Sequence, residues 1–422
     1  MSRAPEPVLT AFAIVASFST YFLMYFFRRA FAAGAFEGDK ILGLDAKSAY
    51  VIAQLLGYAA SKFLGIKVVS ELHAKQRARA LLLSIGLAEA SLVLFAVLPR
   101  GVAAVALAVN GLSLGMVWGM VFGFLEGRRT SDWLGAGLCA SFIVASGAAK
   151  TVGGWFLALG VSESWMPAVT GLAAAPFMCL FVYLLAQIPP PTESDEASRT
   201  ERVPMDRRAR NTFFLRYAPG LVPLVGAYVL LTAFRDFRDN FAPEIWSALG
   251  QAKTPAIMTT AELPVAAGAL VGIAAIGWIT SNRNALLAIH GLLIGGAVIV
   301  AGSTLLFQAG IMGPITWMIA IGLGVYVAYV PYNCVLFDRL VAASGSRANA
   351  GFLIYVADAS GYAGSVLLLV YKNVGQKNLS WVGFLESLGL FASGVIALGV
   401  AVSALYFWRV LAPVVTTRSE AR

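Results

Sequence analysis

The chain has 422 residues, of which 59% are hydrophobic and 13% charged, and its formal net charge is +9. A soluble domain of this length carries about twice that charged share, so the composition excludes a soluble globular protein and points to many membrane spans. The basic excess fits contact with anionic headgroups on one side of a bilayer and does not call for nucleic acid; it is seen at Lys75, Arg77 and Arg79, at Arg128 and Arg129, and at Arg207, Arg208 and Arg210.

Apolar runs of about 20 residues, long enough to cross roughly 30 Å of hydrocarbon as helices, recur along the chain. They predict spans over 8–33, 46–70, 79–98, 101–126, 133–158 and 165–188, then over 215–241, 254–280, 284–307, 312–338, 347–372 and 380–411. The first run outlasts a signal-peptide core and reads as the first span. An even number of spans puts both termini on one side. With that side cytoplasmic, the inner segments hold roughly 17 Lys and Arg against roughly 6 outside, so both ends are expected in the cytoplasm and the protein in the cytoplasmic (inner) membrane.

Pro189, Pro190 and Pro191 open the longest polar segment. It predicts an N-terminal half over 1–188, a cytoplasmic linker over 189–213 and a C-terminal half over 214–422. Two internal matches make the halves a duplication. Tyr21 to Arg28 reads YFLMYFFR and Tyr228 to Arg235 reads YVLLTAFR, while Gly111, Leu112, Trp118, Leu125 and Arg128 recur as Gly322, Leu323, Tyr329, Leu336 and Arg339. Helices one and seven therefore correspond, as do four and ten. The fold class is an all-α membrane protein of twelve transmembrane helices in two pseudo-symmetric six-helix halves.

Each half keeps an arginine at the same place in an apolar helix, which is costly in hydrocarbon and usually retained to bind something. Two guanidiniums on one cavity, Arg28 and Arg235, can hold a tetrahedral anion in paired hydrogen bonds that lysine does not reproduce. Two plainer roles compete. Arg28 can snorkel to headgroups, and Arg235 can pair with Asp239 at i,i+4, so that an anion must displace that carboxylate. Arg29 points elsewhere on its helix and is expected to partner a nearby acid.

Two like-oriented six-span halves joined by a basic loop resemble the major facilitator superfamily. Within it, Tyr25, Arg28 and Phe31, the Ser61-Lys62-Phe63 segment followed by Gly65, and Arg235 with Pro243 resemble the organophosphate:phosphate antiporter branch. The resemblance implies Arg28 and Arg235 as anion ligands, Lys62 as an accessory cation, and exchange of phosphate or an organophosphate. The chain departs from the pattern twice. A run through Glu71, His73, Lys75 and Arg77 replaces the superfamily's Asp-Arg-x-Gly-Arg loop, and Lys150 occupies helix five, where the branch has a histidine.

In the superfamily, helix two faces eleven and helix five faces eight. Lys62 is therefore expected to meet Asp358 at the cytoplasmic gate and Lys150 to meet Glu262 at the outer one, the alternative being pairs within each half. Tyr25, Tyr58, Tyr329 and Tyr355 are candidates to touch solute, and Pro331 is expected to kink helix ten. Glu89 and His290 read as structural, and Cys139, Cys179 and Cys334 as small buried residues. Gly111-Leu-Ser113-Leu-Gly115 matches G-x-S-x-G but lies inside a membrane helix, where small residues serve close packing. Walker, HExxH and metal-spaced motifs do not occur, so neither an enzyme nor a cofactor is expected.

The sequence thus reads as a secondary active transporter for a small anionic solute, monomeric in its lipid bilayer. Two alternatives stand beside it. One is a proton-coupled symporter of a carboxylate or neutral metabolite using Glu262 or Asp358, since burial favours the neutral acid. The other is a non-transporting receptor on the same fold.

Overall fold

A computed structural model of the chain describes residues 5–411 except 39, 73, 126–130, 191–206, 252–253, 346–349 and 377–378. The first half comprises α1 (Glu6–Arg28), α2 (Ala46–Glu71), α3 (Ala74–Val97), α4 (Arg100–Phe122), α5 (Ser131–Ala158) and α6 (Met166–Ala186). The second comprises α7 (Arg207–Asn240), α8 (Ile257–Gly277), α9 (Asn282–Gln308), α10 (Pro314–Cys334), α11 (Ala350–Gly375) and α12 (Trp381–Val410). Among the described residues, 10 helices are long and apolar enough to cross a membrane. The remaining two, α2 and α5, have 26 and 28 residues and complete the two sets of six. The protein is a multi-pass membrane protein.

Each helix turns one stripe inward and leaves an apolar face outward. Leu83, Leu172, Val271 and Leu398 are all exposed, which suits hydrocarbon, because a helix satisfies its own backbone groups. Cys179 shares this outer surface and is not the buried residue expected, whereas Cys139 is buried. His290 is buried as a packing residue, with Nδ1 2.8 Å from the Leu286 carbonyl and Nε2 3.0 Å from Ser403 Oγ.

Helix ends follow local chemistry. Ser281 and Ser380 cap α9 and α12 by accepting from the backbone N–H of Asn284 and Gly383. α10 continues through Pro331 to Cys334, and the chain breaks at Val335 before resuming as a helix over Leu336–Ser344. Two bounds differ from the sequence reading. α1 stops at Arg28, with Ala30–Ala33 forming a 3-10 turn, and α7 begins at Arg207, inside the stretch expected to be linker. Residues 191–206 of that linker, His73, Arg128 and Arg129, and the side chain of Lys75 lie outside the described residues.

Within the first half, α2 packs on α4, α1 on α5 and α6, and α3 on α4; within the second, α7 packs on α11 and α12, α9 on α10 and α12, and α8 on α10. The halves meet where α2 faces α11 and where α5 faces α8. Both α2/α4 and α5/α8 depend on glycine. A Cβ at Gly111 would stand 2.1 Å from the Gln54 carbonyl oxygen of α2, and one at Gly147 would stand 2.0 Å from the Met258 carbonyl oxygen across the seam. The G-x-S-x-G stretch is thus a helix-packing surface.

Candidate functional site

The site starts where α1 ends. Gln54 of α2 donates through Nε2 to the Arg28 carbonyl and to Asn110 Oδ1, each at 2.8 Å. Asn110 of α4 in turn donates to the carbonyls of Phe27 at 3.0 Å and Ala88 at 3.2 Å. Two buried amides thereby satisfy carbonyls that the helix end leaves open and fix the position of Arg28. The sequence reading missed both, although an amide in an apolar membrane helix is itself a signal.

Arg28 is 3% exposed, which rules out the snorkelling alternative. Its guanidinium carbon lies 3.7 Å from the Tyr58 ring centroid and 5.7 Å from that of Tyr25. Among the described residues, Nε and Nη2 have no hydrogen-bond partner. Stacking on a desolvated ring contributes about 2 kcal/mol, whereas taking an ion out of water costs several kcal/mol. The rings alone therefore leave this cation undercompensated.

Arg235 mirrors Arg28 in lying over a tyrosine, 4.1 Å from the Tyr329 centroid, but it has an acid. Its Nη2 and Nε lie 2.7 and 3.3 Å from Asp236 Oδ1. The expected i,i+4 pair with Asp239 is not formed. Asp239 turns toward the seam, where it accepts from Lys150 and from Ser146 at 2.6 Å and lies 3.3 Å from Arg29. Lys150 therefore does not meet Glu262. Glu262 pairs at 2.8 Å with Arg238 in its own half, because Arg238 on α7 reaches it while Lys150 is held by the Asp239 carboxylate and carbonyl.

Arg29 finds its acids in the other half, lying 3.5 Å from Asp236 as well as near Asp239, and it donates to Asn240. Lys47 crosses the same seam to Glu244 and donates to the Ala32 carbonyl at 2.8 Å. These contacts close the bundle at the end away from the termini.

Toward the terminal end the halves enclose a cavity of about 290 Å³. Arg28, Arg235 and Lys62 line it, together with Tyr25, Tyr58, Tyr329, Tyr355 and Asp358. It runs down to Gly65, Gly135 and Gly351, near the terminal-side ends of α2, α5 and α11. Lys62 Nζ lies 3.3 Å from Asp358 Oδ2 across the α2/α11 seam, the contact expected from the sequence. Asp358 also accepts from the Tyr228 hydroxyl at 2.5 Å, which stands 3.1 Å from the Tyr329 hydroxyl. Asp239, Lys150 and Glu262 lie outside the cavity, in its closed end. Phe142 and Tyr362 line it without having been singled out, since nothing in an apolar helix marks which aromatic faces a cavity, and so does Asn333, another membrane-helix amide that the sequence reading missed.

A solved structure described as the crystal structure of D-xylose-proton symporter matches with a TM-score of 0.61 and 15% identity, covering 96% of this chain and 97% of that one. Agreement along nearly the whole of both chains shows the major facilitator fold. No curated protein matches the sequence. The model of a family described as a family of unknown function, DUF5690, matches residues 30–410, and the chain belongs to that family.

Proposed function

We propose that the protein is a secondary transporter that moves a small anion of the phosphate or organophosphate class by alternating access and exchange. The observation that carries this reading is Arg28, a buried guanidinium on the cavity wall with two nitrogens unpartnered. A bound anion would supply the missing acceptors and offset the desolvation that Tyr58 does not. Arg235 would add a second fork once the anion competes with Asp236. One end of the bundle is closed by ion pairs and the other holds the cavity, which suits rocking of one half against the other. With shared cations at the centre, a counter-anion would neutralise the site for the return step.

The test is counterflow. Protein reconstituted in liposomes loaded with phosphate is expected to take up labelled phosphate or glucose 6-phosphate, and empty liposomes are not. A second reading is favoured by Asp358, a cavity carboxylate held between Lys62 and Tyr228, and by the symporter named above. Uptake that needs an inward proton gradient and no internal anion would establish that reading in place of exchange.

A further inference from the structure

Resting on the anion reading, we infer that the solute is an organic anion with a flat aromatic body, its charged head at Arg28 and its ring against Trp118 and Phe122. Trp118 and Phe122 stand one turn apart on α4 with centroids 4.9 Å apart and planes at 6°. Both line the cavity, as do Gly115 and Gly119 on the same helix, which offer no side chain to cover the rings. A solute ring in the cavity can therefore lie against these two side chains.

The cations lie along one path to that stack. Arg28 sits 3.7 Å above Tyr58, and Lys62 lies 5.6 Å from the Tyr58 centroid and 5.8 Å from that of Trp118. Charge is thus deepest at Arg28, and the flat apolar surface lies beyond Lys62.

One further observation disfavours a bare anion. The cavity, about 290 Å³, is near the lower end of the roughly 300–1,000 Å³ of organic-ligand sites, and a five-atom anion leaves most of it unfilled.

The test compares dissociation constants of purified protein for phenyl phosphate, inorganic phosphate and glycerol phosphate, with benzoate against acetate as a second series. A stacked ring contributes about 1–3 kcal/mol, so a preference of roughly fivefold or more is expected for the aryl member. A gain in either series supports the inference and names the head. The gain is expected to shrink in Trp118→Ala and in Phe122→Leu, and where neither variant folds the wild-type ratio decides. Equal affinities for aryl and non-aryl anions, or a gain that survives both substitutions, overturn the inference. If phosphate binds through Arg28 with no aryl gain, only this inference falls. If no anion binds, the anion reading falls with it.

Discussion

Arg29 and Arg235, one from each half, share a single carboxylate. Asp236 Oδ1 lies 2.7 Å from Arg235 Nη2 and 3.5 Å from Arg29 Nη2, and Ser365 donates to Oδ2 at 2.8 Å. The cavity arginine and an arginine of the closed end are therefore linked through one acid. An anion that draws Arg235 away from Asp236 also alters what holds Arg29.

Asp236→Asn separates these effects. With its competitor neutralised, Arg235 is expected to bind phosphate about tenfold more tightly in a titration. Removing one partner of a buried ion pair costs about 3–5 kcal/mol, so the melting temperature and the counterflow rate are expected to fall. Tighter binding with faster counterflow would show that Asp236 does not link the two ends.

Arg28→Lys keeps the charge and loses the fork. Because charge-assisted hydrogen bonds contribute about 1.5–3 kcal/mol each, both Arg28→Lys and Arg28→Ala are expected to weaken phosphate binding at least tenfold, the lysine variant keeping part of it. The readout is the rise in melting temperature with phosphate concentration, which disappears when binding does. A rise that is unchanged in Arg28→Ala would remove this side chain from the site.

Much of the architecture was legible because hydrophobic length and internal repetition are properties of the chain itself. The spans, the Arg28/Arg235 match and the Trp118/Tyr329 match needed no coordinates, and the members of both matched pairs line one cavity. Partners among the charges were less legible. Along α7, Arg235 pairs with its neighbour Asp236 and Arg238 with Glu262, and the spacing of Arg235 and Asp239 allowed a pair that Lys150 and Arg29 take from the other half. Lys62 and Asp358 were easier, since α2 and α11 each bring one charge to that part of the seam. Gln54 and Asn110 bind carbonyls, and a contact to backbone leaves no complementary residue in the sequence to look for.

The Lys62/Asp358 contact is testable by charge exchange. Both side chains are largely buried, at 14% and 8% exposure, so Lys62→Asp or Asp358→Lys alone places two like charges together in a low dielectric. Each single variant is expected to lose most counterflow and several degrees of melting temperature, and the double exchange to recover part of both. Recovery is expected to be incomplete, because the Tyr228 hydroxyl that donates to Asp358 would then face an ammonium. A double variant no better than the singles would show that this pair does not act as a unit.

The closed end is testable through one hydrogen atom. At Gly147 an added methyl meets the Met258 carbonyl oxygen at 2.0 Å and the Thr259 Cα at 3.2 Å. Neither is the loose end of a side chain. The segment is also pinned, because Thr151 Oγ1 donates to the Pro255 carbonyl at 2.9 Å and lies 2.7 Å from Thr259 Oγ1. Gly147→Ala must push α5 and α8 apart, at about 1–3 kcal/mol, which shifts a two-state balance by roughly five- to 150-fold. The state in which this end opens and the terminal end closes is favoured. Cys139 and Cys334 line the present cavity and Cys179 faces outward, so the native thiols report the change. An impermeant thiol reagent on the terminal side is expected to label Cys334 more slowly in Gly147→Ala, with no such change in Gly86→Ala, where an added Cβ meets nothing within 4 Å. Equal labelling in both variants would mean that the α5/α8 contact does not control access to the cavity.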